Sequence, residues 1–332
     1  MQAKCDILIA GASILSALGR RLISVSVTLP ADGQASSATL TIDDTDGAVI
    51  LPKLGRPIAV LLGWQPGGIR PVFAGTVDEV RSSGGRSGRI LNISAKGFDA
   101  TGAAKGQQRR HWDDKTVKTI LQDAAKDAGI DAVSVDPALA DKVIDYFSMM
   151  DESFLAMGRR LAKEVGGHFR VEGEKAVMSK RGATYAPIVM ASWGLNLHTW
   201  DIRPTSSRDL YGKVKAPWYD KKAAKWDAVE VDTGLESTAV LTLRETSATK
   251  EEAQRRADAR AETVKQSAGE GSVTIEGDTG AVPDGLCLVT GTRPGIDGTY
   301  RIASVTHSYS RSGFTTDIQL SQPQGGAGKD SR

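Results

Sequence analysis

Two Asp-Thr-Gly triplets, Asp232-Thr233-Gly234 and Asp278-Thr279-Gly280, are the residues of this chain whose types could do hydrolytic chemistry. Paired aspartates in contact cannot both ionise, so one stays protonated as an acid while the other activates water. The spacing argues against that here. Two symmetric lobes built around these loops need far more chain than lies between Asp232 and Asp278, and the flanking Gly277 and Leu235-Glu236 do not supply an apolar strand context. Asp-Thr-Gly is also an ordinary turn. Asp43-Asp44-Thr45-Asp46-Gly47 has the composition of a calcium loop. With Gly47 in the sixth position, however, the first and twelfth would be Ile42 and Lys53, so both end ligands are missing and a polar turn is expected. His111, His168, His198 and His307 are scattered, with no pair at metal-ligand spacing, and read as strand-surface or capping residues. No glycine-rich lysine loop for phosphates and no strand-elbow serine occurs. The expectation is a protein that is not an enzyme, with no catalytic residue, no metal and no cofactor.

The bulk composition agrees with a scaffold. The 332 residues suffice for two or three domains, and 40% hydrophobic with 25% charged residues is ordinary for a globular protein. With 36 glycines and only 5% aromatics, the chain suits many short strands joined by tight turns. A formal charge of +2, from 42 basic and 40 acidic residues, gives no reason to expect a nucleic-acid-binding surface over the whole molecule and leaves local patches open. Cys5 and Cys287 are too few for a disulfide framework and read as buried small hydrophobes of a protein made in a reducing compartment. No apolar run reaches the roughly 20 residues of a membrane span, and the N-terminal MQAKCDILIAG does not read as a secretory signal.

From residue 5 to about 100 the period is two. Ile7 and Ile9, then Val25, Val27 and Leu29, then Ala38, Leu40 and Ile42, then Ile58, Val60 and Leu62 alternate between turn-rich stretches. A hairpin follows over 72–95, turning at Ser83-Gly84-Gly85, and the chain closes on a second one, with Tyr300, Ile302, His307 and Tyr309 before the Arg311-Ser312-Gly313 turn and Thr316, Ile318 and Leu320 after it. The two hairpins hint at a duplicated β-domain. Strands without intervening helices predict an antiparallel barrel or sandwich.

Between them the period changes. Val117, Ile120, Leu121, Ala124 and Ala125 follow helical spacing, with Asp113 or Asp114 as N-cap and Gly129 as C-cap. A second helix reads from Asp151 to Gly166-Gly167, followed by short strands in HFRVEG and KAVMSKR. Residues 109–182 therefore read as a small α+β insert. Residues 211–231 read as a hairpin with a basic tip, five lysines standing against one aspartate over 213–225. A helix is expected over 249–268, capped by Thr249 and Glu252, with a stripe of Ala253, Ala257, Ala261, Val264 and Ala268 narrow enough to lie closely on a sheet.

Four stretches carry a family resemblance: WDDKTVKTILQDAAKDAG, DESFLAMGRRLAKEVGGHFRV, YGKVKAPWYDKKAAKWDAV and GLCLVTGTRPGIDGTYRIASVTHSYSRSGFTTDIQL. In this order they resemble the late control protein D family, the baseplate hub proteins of contractile-tailed phages and tailocins, related to the hub part of type VI secretion spike proteins. The resemblance spans almost the full chain. It implies a mainly β fold with an α+β insert: two tail-tube-like antiparallel β-barrels, three chains making a homotrimeric pseudo-hexameric ring. The domains expected are 1–108 as the first barrel, completed by part of 183–212; 109–182 as the insert; 213–324 as the second barrel with helix 249–268; and 325–332 as a disordered tail. The implied function is to adapt the hexameric tail tube to a trimeric central spike in the virion tail baseplate, assembled in the bacterial host cytoplasm. The partners implied are the tail tube protein, a separate spike protein, the tape-measure protein and other baseplate proteins. No specific nucleic-acid sequence and no membrane are expected. A ring leaves one sheet face toward a channel, and Ser24, Ser26, Thr28, Thr39 and Thr41, opposite the buried set, are small and uncharged as such a wall requires. Lys221, Lys222 and Lys225 at the basic tip should then lie at an interface or in solvent. The alternatives are a peptidoglycan-binding tail module, since the insert loosely resembles such repeats, and a tail-associated hydrolase.

Overall fold

The computed structural model describes the chain except residues 31–34, 87, 98–105, 173–174, 181–187, 205–209, 222, 268, 325–326 and 328–332. The first part contains β1 (Gln2–Ile9), β2 (Ala12–Ser13), α1 (Leu15–Leu18), β3 (Leu22–Pro30), β4 (Ser37–Asp43), β5 (Pro57–Gln65), β6 (Gly68–Gly85) and β7 (Gly88–Lys96). Then come β8 (Gln108–Thr116), α2 (Val117–Asp127), β9 (Ala132–Val135), α3 (Pro137–Ala140), β10 (Val143–Glu152), α4 (Phe154–Val165), β11 (Gly167–Glu172) and β12 (Lys175–Lys180). The remainder is β13 (Ile188–Ser192), β14 (Leu197–Arg203), β15 (Lys213–Asp220), β16 (Lys225–Asp232), β17 (Val240–Thr242), α5 (Lys250–Ser267), β18 (Glu270–Glu276), β19 (Leu286–Thr290), β20 (Gly298–Ser310) and β21 (Gly313–Gln324).

One sheet runs in the order β14-β18-β21-β20-β3-β4-β7-β6-β5-β1-β2, with β19 joined to β20 and β13 to β19. Its period-two strands bury two separate cores. Ile7, Val25, Leu40, Val60, Phe73 and Ile93 belong to the first; Val273, Ile275, Cys287, Tyr300, Ile302 and Ile318 to the second. The halves meet where β20 pairs antiparallel with β3, from Ser304 opposite Pro30 to Ser310 opposite Ser24.

The halves also repeat one another in register. In β6–β7, Val77 faces Ala95 and Glu79 faces Ser94, leaving Asp78 bulged. In β20–β21, Ile302 faces Leu320 and Ser304 faces Gln319, leaving Ala303 bulged. From those bulges both hairpins run to equivalent last pairs, Gly85 with Gly88 and Ser310 with Gly313. The next two strands match as well. Leu22 faces Ile42 and Ser24 faces Thr41 around a bulge at Ile23, while Leu197 faces Ile275 and Thr199 faces Thr274 around a bulge at His198. The cross-links between these pairs agree, with Leu40 opposite Ile93 in one half and Val273 opposite Ile318 in the other. A bulge bends its strand and raises the local twist, so equal bulges give the two halves equal curvature.

Several sequence expectations need correction. Residues 188–203 do not complete the first half: β13 pairs with β19 and β14 with β18, extending the second. Nor does the 213–232 hairpin supply strands to the second half. It forms its own sheet, β16-β15-β17, on which α5 lies with Ala253, Ala257 and Ala261 against Val214 and Ala216. The alanines leave no bulk to hold helix and sheet apart. Glu252 closes the start of α5, its amide donating to Thr249 Oγ1 at 3.2 Å and its carboxylate accepting from Ala248 N at 2.8 Å. The first helix of the insert starts later than Asp113 or Asp114, because β8 continues to Thr116, whose hydroxyl takes the Thr119 amide at 3.2 Å. Likewise Asp151 still belongs to β10, and Ser153 caps α4. The insert has its own core. Gly158 of α4 lies so close to Phe169 that a Cβ would fall 2.4 Å from the ring, which lets Phe154 and Phe169 meet edge to face at 5.4 Å. The tail at 325–332 lies outside the described residues except Ala327, which is buried on the second core.

Candidate functional site

The residues that could have done hydrolysis make turns. Asp232 accepts from Gly234 N at 2.7 Å and Asp278 from Gly280 N at 2.8 Å, each closing its own triplet. One ends β16 in the small sheet and the other follows β18 in the large one, so the two carboxylates are not brought together as a dyad. Asp43 accepts from Thr45 N at 3.0 Å, and Arg21 pairs with Asp46, holding that carboxyl down at about 2. Among the described residues no group of three His, Cys, Asp or Glu side chains could hold a metal.

The histidines separate. His111 and His198 are exposed, but His168 and His307, expected at the surface or at caps, are buried. His307 Nδ1 lies 3.0 Å from Thr316 Oγ1, and burial pushes its pKa down to about 4 against the opposing charge of Asp278. His168 belongs to a buried charge cluster with no sequence signature, because its members come from distant segments. Asp284, 3% exposed, lies 3.5 Å from His168 Nε2, 3.6 Å from Arg170 Nη1 and 3.8 Å from Arg301 Nη1. Arg301 also donates to the Asp284 carbonyl at 3.1 Å, and desolvation pulls its pKa below the ordinary guanidinium value. Two members are on β11 of the insert and two on the second half, so the cluster ties them together.

What the sheet does assemble is a polar face. On the side opposite the cores, Thr315, Ser308, Ser26, Thr39 and Ser94 stand opposite one another in turn across β21, β20, β3, β4 and β7. A parallel row joins Ser310, Ser24, Thr41 and Asn92, and a third joins Asp317, Thr306, Thr28, Ser37 and Lys96. Thr28 Oγ1 and Thr306 Oγ1 are 3.3 Å apart across the junction of the halves, and Thr41 Oγ1 donates to Asn92 at 3.2 Å. The sequence singled out Ser24, Ser26, Thr28, Thr39 and Thr41, all of which stand on this face. It missed Thr306, Ser308 and Ser310, although the same alternation marks them. Charge on this face lies outside the β20–β3 junction, at Asp43, Glu79, Arg81 and Lys96 on one side and at Asp201, Arg203, Glu270, Glu276 and Asp317 on the other.

The basic tip lies elsewhere, on the small sheet. Lys221 and Lys225 are exposed, Lys222 falls outside the described residues, and Lys213 and Lys215 are held 3.5 and 3.6 Å from Glu230. Beside the tip Tyr219 and Trp226 stack edge to face at 5.1 Å, with Trp226 65% exposed. A second aromatic pair, Trp193 and Trp200 at 4.7 Å, stands at the β14 end of the large sheet.

Among the described residues the chain presents a long β-sheet with a hydroxyl-rich face and no constellation for chemistry. The family model of the phage tail baseplate hub (GPD) matches residues 33–313, and the chain belongs to that family. A probable baseplate hub protein of Escherichia phage 186 is 27% identical, with 92% of this chain and 90% of that protein covered. The fold resembles the tail protein from Neisseria meningitidis MC58, with a TM-score of 0.73, 17% identity and 97% of each chain covered. It also resembles the E. coli c3393 protein, a type VI secretion component with structural similarity to bacteriophage T4 tail proteins, at a TM-score of 0.63, 11% identity and coverage of 98% of this chain and 79% of that one. The protein is a phage tail baseplate hub protein, as its resemblance in sequence implied.

Proposed function

We propose that three copies of the chain close a ring in which two similar β-barrels per chain present six equivalent units, adapting a hexameric tail tube to a trimeric central spike. The observation that carries this reading is the continuity of the Ser/Thr face across the β20–β3 junction. A single chain has little use for a hydroxyl surface spanning both halves, whereas a channel wall needs one that offers neither apolar grip nor strong attraction to phosphate. In this reading Ser24, Ser26, Thr28, Thr39 and Thr41 face the lumen through which DNA or the tape-measure protein passes. The insert and the Lys221–Lys225 tip lie outside, where lysines cannot hold nucleic acid in transit. The ring sits in the virion baseplate of a contractile tail or tailocin, assembled in the host cytoplasm, and does no chemistry of its own. Unclosed sheet edges favour association, since they leave backbone groups unpaired. The test is light scattering of the hub co-expressed with its spike partner, expected to give three copies of each. A chain that stays monomeric both alone and with that partner overturns the reading.

A further inference from the structure

The register repeat allows the contact between neighbouring chains to be specified by residue, on the basis of the ring reading above. Within the chain, the upper part of β20, beyond its bulge at Ala303, pairs with β3: Val305 with Leu29, Thr306 with Thr28, His307 with Val27, Ser308 with Ser26 and Tyr309 with Val25. The counterpart of that part of β20 is β6 beyond its bulge at Asp78. The counterpart of β3 is β14. Among the described residues, β6 from Asp78 to Gly85 pairs only with β7, and β14 pairs along its length only with β18. Both therefore carry an unpaired edge where the internal junction carries a paired one.

Burial agrees with a missing strand on each side. Val305 and His307 are buried under β3, but their counterparts Val80 and Ser82 are half-buried and exposed. Val25 and Val27 are buried against β20, but their counterparts Trp200 and Ile202 are 37% exposed and half-buried. We infer that β6 of one chain pairs antiparallel with β14 of the next in the register of the internal junction, placing Val80 opposite Pro204, Arg81 opposite Arg203, Ser82 opposite Ile202, Ser83 opposite Asp201, Gly84 opposite Trp200 and Gly85 opposite Thr199. This copies the β20–β3 seam at each chain boundary, so the polar face continues around the ring. Side chains fit the register. Gly84 leaves the space over which the Trp200 ring would lie. Arg81 and Asp201 become diagonal neighbours, within reach of a long side chain, which offsets the Arg81–Arg203 opposition. Arg203 is already occupied by Glu270 at 2.8 Å.

The experiment uses the full chain with two cysteines introduced, either Ser83→Cys with Asp201→Cys or Ser82→Cys with Ile202→Cys. Adjacent opposite pairs alternate between wide and narrow spacing, so one of the two falls within disulfide reach. The native Cys5 and Cys287 are buried, their thiols pushed up to about 12, and do not compete. After mild oxidation of the assembled protein, a non-reducing gel should show covalent dimers and trimers for one of these pairs. The off-register pair Ser83→Cys with Arg203→Cys should give at least about tenfold less, and the single variants none. If the protein is trimeric by light scattering but the off-register pair links as well or better, or no pair links, the inferred register is wrong while the ring stands. If no trimer forms alone or with the spike partner, the ring reading falls and this inference with it.

Discussion

The hairpins β6–β7 and β20–β21 share a bulge and the same run of residues from bulge to turn, yet their outer halves live in different surroundings. In the second hairpin β3 covers the edge; Val305 and His307 are buried and Tyr309 is half-buried. In the first no strand of the described residues covers the edge, and the equivalent stretch carries Val80, Ser82 and Gly84. A duplicated backbone does not fix what its side chains do; the neighbouring strand does. Where that neighbour is present in the same chain, the sequence has filled the seam with a histidine, a threonine and an aromatic ring. Where it is absent at β6, Ser82 and Gly84 are small enough or polar enough to tolerate water.

The difference can be broken most strongly at the charge cluster, which has no counterpart among the described residues of the first half. Asp284→Ala leaves His168, Arg170 and Arg301 without their carboxylate in a buried setting, and the loss of one partner of such a cluster costs about 3–5 kcal/mol. Hydrogen exchange should show the insert and second half losing protection while β4 and β7 keep theirs. Equal loss in both halves would mean that they do not behave as separate cores.

A smaller effect, and one that sharpens the comparison, comes from His307, whose counterpart is Ser82. An unfolded histidine titrates near 6.5 and this one, folded, near 4. Between those values the unfolded chain binds a proton that the folded chain refuses, so stability falls as the pH drops through that window, by up to roughly 3 kcal/mol. Denaturation midpoints of the wild type and His307→Gln should diverge in slope between pH 6.5 and pH 4, the variant being flatter. Parallel slopes would show that the imidazole is not held neutral.

The smallest effect on folding belongs to the polar face. Ser26→Lys and Thr39→Lys change half-exposed or exposed positions and should shift stability by no more than about 0.5 kcal/mol. Their consequence should appear in particles, as slowed DNA delivery from otherwise intact tails. Delivery at the normal rate would argue that this face does not line the channel.

Much of this was legible in the sequence where alternation ran against a glycine turn. Val25, Val27, Leu40 and Ile42 named one core, and the serines and threonines between them named the opposite face. The strand β8 was not legible, because Trp112 is its only buried residue and a strand with one buried position has no period to read. Residues 213–232 alternated well and were assigned to the wrong sheet, since a pattern gives a strand's inward face and not the identity of the core behind it. The Asp284 cluster gave no signal at all: His168, Arg170, Asp284 and Arg301 meet only through the fold.

The β20–β3 seam has a further consequence for the order of synthesis. Thr28 and Thr306, which touch across it, are 278 positions apart. At about 5–20 residues per second, roughly 15–60 s pass between the emergence of β3 and that of its partner. Throughout that interval the first half stands on the ribosome with β3 as an open edge, able to recruit any strand of a neighbouring nascent chain. Its outward row of Ser24, Ser26 and Thr28 is then a safeguard, a hydrated margin that gives a stray apolar strand little to hold until the last hairpin arrives.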